Sequence, residues 1–214
     1  LDARWLGDDA KIFLGYSDVS ALLCWQLDRG LVAFHGPMAE GRLALGPDGY
    51  DRASLLAAIT RPVPMGTMAP PGLDVIRPGE AHGTLAGGTL TQLASLLGTP
   101  YAFVPREPTI LFLEDVGERP YRLDRLVTQL HQAGVFRRVT GVLLGAFPGC
   151  DEPGGGPTSR GVLGDLFAHF PGPVVYGFPS GHTAGATMTL PFGVDARLTA
   201  TGLPSLSIEE SAVC

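Results

Sequence analysis

Short, nearly unbroken apolar runs alternating with segments of helical spacing most limit what this chain can become. TILFL at 109–113, VTGVLLGA at 139–146 and PVVYG at 173–177 are too short for helices and too apolar for strands with one wet face. A strand covered on both faces reads this way, as in a parallel sheet flanked by helices. YRLDRLVTQLHQA at 121–133 puts Leu123, Leu126, Val127 and Leu130 on one helical face, and Gly134 follows as a stop. The same alternation starts earlier. KIFLG (11–15) predicts a short buried strand, DVSALLCWQLD (18–28) a helix stopped at Gly30, and LVAFH (31–35) a strand closed by Gly36-Pro37. DRASLLAAI (51–59) predicts a helix with Asp51 at its cap. Residues 83–87 read as a strand, 89–97 as a helix ended by Gly98, and 161–169 as a helix. Short strands separated by turns are expected over 187–210. The pattern predicts an α/β fold with mostly parallel sheet.

Pro62, Pro64, Pro70, Pro71 and Pro78 crowd residues 61–80, where no periodic pattern survives. That stretch is expected to be a linker or crossing segment and a candidate domain boundary, and 214 residues suit one large domain or two small ones. Net charge is −6, and the 15 basic residues are scattered without a polybasic run. Neither nucleic acid nor an anionic membrane surface is an expected partner. No apolar run reaches the ~18 residues of a membrane-spanning helix. Cys24, Cys150 and Cys214 form neither a disulfide framework nor a zinc pattern, which fits a reducing compartment. The chain opens on Leu1 rather than Met, and reads as the C-terminal part of a longer protein.

In sheets of this kind ligands gather at the carboxyl ends of strands. Three reactive residues are expected there, in the order Ser17, Glu114, His182. Ser17 follows the first strand and opens a helix. Glu114 closes the strand TILFL. His182 lies in the glycine-rich loop GFPSGHTAG after PVVYG. A serine becomes a nucleophile when a histidine takes its proton and a carboxylate steadies that histidine. A strand–Ser–helix turn also aims backbone amides, here the Asp18 N–H, at a developing oxyanion. Each residue has a plainer reading. A serine before a helix is most often an N-cap, and GYSDV breaks the G-x-S-x-G elbow at its last position. A strand-end glutamate is usually solvated or salt-bridged. A loop histidine beside glycines is often bland. His35 is expected to be a hydrogen-bonded core histidine near the same rim. His82 is expected in a turn, His131 on a solvent-facing helix surface and His169 near a helix end. Cys24 reads as core, and Cys150 has no evident activating neighbour. Gly87-Gly88 is expected to open a helix and could cradle an anion there.

Together these pieces resemble the serine LD-carboxypeptidases of murein recycling and the related microcin C self-immunity peptidases. The resemblance runs in order through FLGYSDVSALL (13–23), FHGPM (34–38), LAGGTLTQLASLLGTPY (85–101), ILFLEDVGERPYRLDRLVTQL (110–130), GVLLGAF (141–147), VVYGFPSGHT (174–183) and TLPFG (189–193). It implies a Ser–Glu–His triad of Ser17, Glu114 and His182, with the Asp18 N–H, Gly87 and Gly88 at the oxyanion and binding positions and no metal or organic cofactor. It implies a two-domain α/β fold. Residues 1–66 would form the C-terminal part of the nucleophile domain, with mostly parallel sheet and flanking helices. Residues 67–80 would be the linker. Residues 81–214 would form a mixed α/β domain with short C-terminal strands, carrying the acid and the base. The family's N-terminal part, with glycine-rich backbone for a second oxyanion donor, lies upstream of the serine motif and is absent from this chain. Thr89 stands where the family usually has Asn. The implied reaction releases the terminal D-Ala of a murein tetrapeptide or muropeptide, in the cytoplasm and by a homodimer. The sister activity, on a peptidyl-nucleotide antibiotic, goes with an extra aromatic-bearing loop, for which the interval between Ser17 and Glu114 leaves little room. Trp5 and Trp25 lie outside that interval's loops. An α/β-hydrolase esterase and a non-catalytic two-domain peptide- or sugar-binding protein are the remaining readings. The distances among Ser17, Glu114 and His182 discriminate them.

Overall fold

A computed structural model describes residues 11–105 and 107–214 and places them in two sheets. Four parallel strands form the middle of an eight-stranded sheet: β5 (Glu80–Thr89), β6 (Thr109–Glu114), β7 (Val139–Gly145) and β8 (Val174–Phe178). Antiparallel strands finish both sides. β10 (Asp195–Thr199), β11 (Ser205–Ile208) and β3 (Gly66–Met68) extend it beyond β5, and β4 (Asp74–Arg77) closes it beyond β8. A three-stranded sheet is built from β1 (Leu14–Gly15), β2 (Ala33–His35) and β9 (Leu190–Phe192), with β1–β2 parallel and β2–β9 antiparallel.

The helices α3 (Leu90–Ser95), α4 (Pro120–Gln132) and α5 (Ser159–Phe167) each connect successive parallel strands. Those strands advance across the sheet in one direction, and right-handed crossovers then put all three helices on the same face. Leu93, Leu123, Val127, Leu130, Leu163 and Phe167 form the core there with Leu111 and Leu113. The opposite face, carrying Ile110 and Phe112, packs instead against Leu23, Leu190 and Phe192. These last belong to α1 (Ser20–Leu27) and the small sheet. Two-residue alternation along β6 therefore feeds both cores, which explains its unbroken apolar run. By the same alternation Glu114 follows Ile110 and Phe112 to the small-sheet side.

Most sequence-predicted elements are present with shifted ends. The first strand shrinks to two residues. The predicted helix 18–28 is a 3-10 turn, Ser17–Val19, followed by α1. Gly30 at φ 69° ends that helix, its N–H donating to the Leu27 carbonyl at 3.0 Å. Asp51 caps α2 (Arg52–Thr60) by accepting from Ser54 N at 2.6 Å. Among the described residues of the first part β1 and β2 pair in parallel, and β9 from near the C-terminus completes their sheet. The second part, expected as mixed with short strands, holds the four parallel strands of the large sheet. The proline-rich stretch read as linker holds β3 and β4, the two edges of the large sheet. Edge strands tolerate neighbouring prolines because one of their sides makes no ladder bonds, and that disguises them in sequence. His82 lies within β5 rather than in a turn, exposed beside Glu80 and Glu209. Trp5 falls outside the described residues. No helix among the described residues is long and apolar enough to cross a membrane.

Gly87 and Gly88 sit inside β5, not at a helix start, because α3 opens only at Leu90. A Cβ on Gly87 would stand 1.9 Å from the Phe112 carbonyl oxygen, and one on Gly88 2.9 Å from Ser20 Oγ. Close approach of strand and helix thus accounts for the glycine pair. Gly87→Ala, at φ 149° and against backbone, is expected to lower unfolding free energy by about 3 kcal/mol or more. Guanidinium denaturation checks this; an unchanged midpoint would contradict it.

Candidate active site

The turn after β1 is built from strain and close packing. Tyr16 is extended, and Ser17 then takes φ 59°, the one positive φ of a non-glycine among the described residues. Such a conformation costs on the order of 1–3 kcal/mol and needs support from its surroundings. Ser17 N donates to Thr89 Oγ1 at 3.0 Å, and Val19 N to the Tyr16 carbonyl at 3.2 Å. Gly15 makes the turn possible, since a Cβ there would stand 2.7 Å from Val19 Cγ1. Ser17 is not a helix cap. The residue before the 3-10 turn is Tyr16 and the one before α1 is Val19, and neither turn nor helix has a side-chain cap bond. The Ser17 side chain is half-buried. Asp18 N–H lies at the start of the turn, where helical amides have no partner within the helix, and the Asp18 carboxylate accepts from Gln92 Nε2 at 2.6 Å.

Glu114 ends β6 fully buried, at 0% exposure, and so is no solvated strand-end charge. Its Oε2 accepts from the backbone N of His182 at 2.9 Å and from His182 Nδ1 at 2.8 Å. Its Oε1 accepts from Thr89 Oγ1 at 2.5 Å and lies 3.8 Å from His35 Nε2. Burial alone would push the Glu114 carboxyl up, but the hydrogen bond from His182 and the nearby His35 ring outweigh it and bring it down to about 2. An ionised carboxylate can only accept, so His182 Nδ1 carries a proton. In the neutral ring that leaves Nε2 as the basic nitrogen.

Loop geometry holds His182 in place. Gly181 has φ 80°, and a Cβ there would stand 2.6 Å from Glu114 Cδ and 2.8 Å from His35 Cε1. Arg42 donates to the carbonyls of Thr183 at 2.6 Å and Gly185 at 2.8 Å, tying the loop to the segment after β2. The Tyr16 ring meets the His182 ring edge-on, with centroids 4.8 Å apart. The Ser17 turn and the Glu114–His182 pair therefore border one another. His35, fully buried, pairs through Nδ1 with Ser180 Oγ at 3.0 Å, the core role expected of it. The sequence offered no signal for its approach to Glu114, nor for Arg42. Thr89, visible as the residue after the glycine pair, links Ser17 to Glu114.

The remaining reactive side chains lie apart from this cluster. Burial raises the Cys24 thiol to about 12 and the Cys150 thiol to about 11, so neither is an activated nucleophile. His131 lies beside Phe136, the rings tilted with centroids 6.0 Å apart. No metal-binding cluster occurs among the described residues.

A family model for the LD-carboxypeptidase C-terminal domain matches residues 82–198, more than half of the chain. The chain belongs to the LD-carboxypeptidase family. A protein of Streptomyces coelicolor named "Putative carboxypeptidase" is 40% identical over 95% of this chain and 64% of its own length. The murein tetrapeptide carboxypeptidase of Pseudomonas aeruginosa is 33% identical over 86% of this chain and 62% of its own. The chain thus spans less than two thirds of either curated relative. The crystal structure of a muramoyltetrapeptide carboxypeptidase from Oxalobacter formigenes superposes with a TM-score of 0.82 at 30% identity, covering 98% of this chain and 72% of that one. The mixed α/β fold is therefore the fold of an LD-carboxypeptidase.

Glu114 also ties stability to pH. Its folded value of about 2 lies below the ordinary 4.5. The stabilisation is fully present above about pH 4.5 and is lost as pH falls through about 2. Its size is on the order of 3 kcal/mol. The difference in unfolding free energy between the parent and Glu114→Gln is expected to shrink over that window in acid titrations of urea denaturation. A difference independent of pH would contradict the assignment.

Proposed function

We propose that this LD-carboxypeptidase family member is a serine peptidase that releases the terminal D-Ala of a murein tetrapeptide or muropeptide. Ser17 would be the nucleophile, His182 the base and Glu114 its carboxylate partner. The observation that carries this reading is the 2.8 Å contact between Glu114 Oε2 and His182 Nδ1, bordered by the strained Ser17 turn. A carboxylate on Nδ1 fixes the tautomer and offsets the positive charge formed when Nε2 takes a proton. The left-handed Ser17 backbone on a strand-to-helix turn suits an exposed nucleophile.

In this reading Ser17 Oγ attacks the carbonyl of the L-centre of meso-diaminopimelate while His182 Nε2 takes the hydroxyl proton. The Asp18 N–H donates to the oxyanion. Collapse breaks the L,D-peptide bond, and the proton on His182 passes to the departing D-Ala amine. Water, deprotonated by His182, then attacks the Ser17 ester, and the tripeptide leaves with the serine hydroxyl restored. These steps ask nothing of a metal or an organic cofactor.

The domain reading goes with it. Residues 1–66 would supply Ser17 and residues 81–214 the acid and base, with 67–80 passing between them along the edge strands of the large sheet. The β2–β9 pairing holds the two parts together. The substrate is a product of cell-wall turnover, and we place its cleavage in the cytoplasm, by a homodimer.

Mass spectrometry of a murein tetrapeptide incubated with the intact protein tests the reading. The parent is expected to remove one alanine, and Ser17→Ala to be slower by about 10⁴-fold or more. Equal release by both proteins would remove Ser17 from the chemistry. No release by the parent, with cleavage of a peptidyl-nucleotide instead, would move the protein to the sister activity.

A further inference from the structure

Thr89 has one hydroxyl and several demands on it. The Glu114 carboxylate cannot donate, so the hydroxyl proton of Thr89 points to Glu114 Oε1 at 2.5 Å. Its oxygen then accepts from Ser17 N at 3.0 Å and faces Ser20 Oγ at 3.4 Å. The backbone N of Thr89 donates to Ser20 Oγ at 3.1 Å. Thr89 is 3% exposed and Ser20 and Glu114 are at 0%, so water does not replace these bonds readily. A continuous path results. It runs from the Ser17 N–H through the Thr89 hydroxyl to Glu114 Oε1, and across the carboxylate from Oε2 to His182 Nδ1.

Two features make this path more than core filling. It ends on the one left-handed non-glycine backbone among the described residues, a conformation that persists only where its neighbours hold it. Its middle link, Thr89, ends β5, which pairs with β6 in the register Thr89–Glu114. The donor and the carboxylate are therefore locked side by side by the sheet itself, with Gly88 leaving room for Ser20.

We propose that Thr89 is a positioning residue whose single hydroxyl holds the Ser17 backbone and the Glu114 carboxylate at one separation. Nucleophile turn and base partner are then placed as a unit. This rests on the triad reading above for its effect on rate, but not for the hydrogen-bond path itself. Thr89→Val keeps the shape and removes both bonds. It leaves the Ser17 N–H without its acceptor and Glu114 Oε1 without its hydroxyl donor. Thr89→Ser restores both bonds without the methyl group.

Two measurements on the intact protein test it. Amide hydrogen exchange of Ser17, followed by NMR, is expected to be about tenfold faster in Thr89→Val, the loss of one net hydrogen bond. It should stay near the parent rate in Thr89→Ser. For D-Ala release, kcat is expected to fall by about tenfold to a hundredfold in Thr89→Val, with KM little changed, because misplacement of reacting groups costs rate rather than binding. Thr89→Ser should recover most of it. Should Thr89→Val not fold, Thr89→Ala is read by the same criteria. Parent-like exchange and kcat in the variant lacking the hydroxyl would overturn the proposal. So would an equal loss in Thr89→Ser, which would assign the effect to methyl packing. Accelerated exchange with unchanged kcat would overturn the coupling. If the parent releases no D-Ala, the functional reading fails, and Ser17 exchange alone decides the role of Thr89.

Discussion

A carboxylate buried to 0% exposure, as Glu114 is, would cost several kcal/mol without compensation. Here every close neighbour supplies part of it. The His182 backbone and ring donate to one oxygen, Thr89 donates to the other, and the His35 ring stands beside the second. Each partner comes from a different element: the loop after β8, the end of β5, and β2 of the small sheet. Satisfying one charge therefore fixes where three separated segments meet. Gly181 reflects the same constraint, since any side chain there would collide with the carboxyl group.

The large sheet makes that convergence possible. Its right-handed crossovers put α3, α4 and α5 on one face and leave the other to α1 and the small sheet. The even-numbered residues of β6 run along the second face, from Ile110 through Phe112, and deliver Glu114 to its rim. The ring of Phe112 touches that of His35 with centroids 5.0 Å apart, so apolar packing continues up to the charged group. The chemistry proposed for Ser17 and His182 depends on this placement, because a histidine works as a base only when its other nitrogen is held.

Much of the fold is legible in the sequence. The parallel strands are short apolar runs, α4 carries its stripe in the right phase, and Ser17, Glu114 and His182 follow from strand ends. The edge strands β3 and β4 were not legible, because proline and exposure erase the alternation that identifies a strand. The glycine pair was misplaced for a related reason. Sequence shows that glycine is present, but not whether a helix start or a neighbouring carbonyl requires it. The approach of His35 to Glu114, the Arg42 clamp on the 183–185 loop and the Thr89 bridge are contacts between segments distant in sequence. No local pattern encodes them. The partnership of β9 with β2 across most of the chain is of the same kind, and it ties the serine's part of the chain to the histidine's.

The proposed chemistry makes Ser17 and His182 one unit acting through Glu114. The most direct test is a double-mutant cycle on kcat/KM for D-Ala release, comparing Ser17→Ala, His182→Ala and the double variant of the intact protein. Residues of one catalytic unit are strongly non-additive. The double variant is therefore predicted to be no slower than the slower single variant. A double variant slowed by the product of the two single losses would show independent roles and contradict the account.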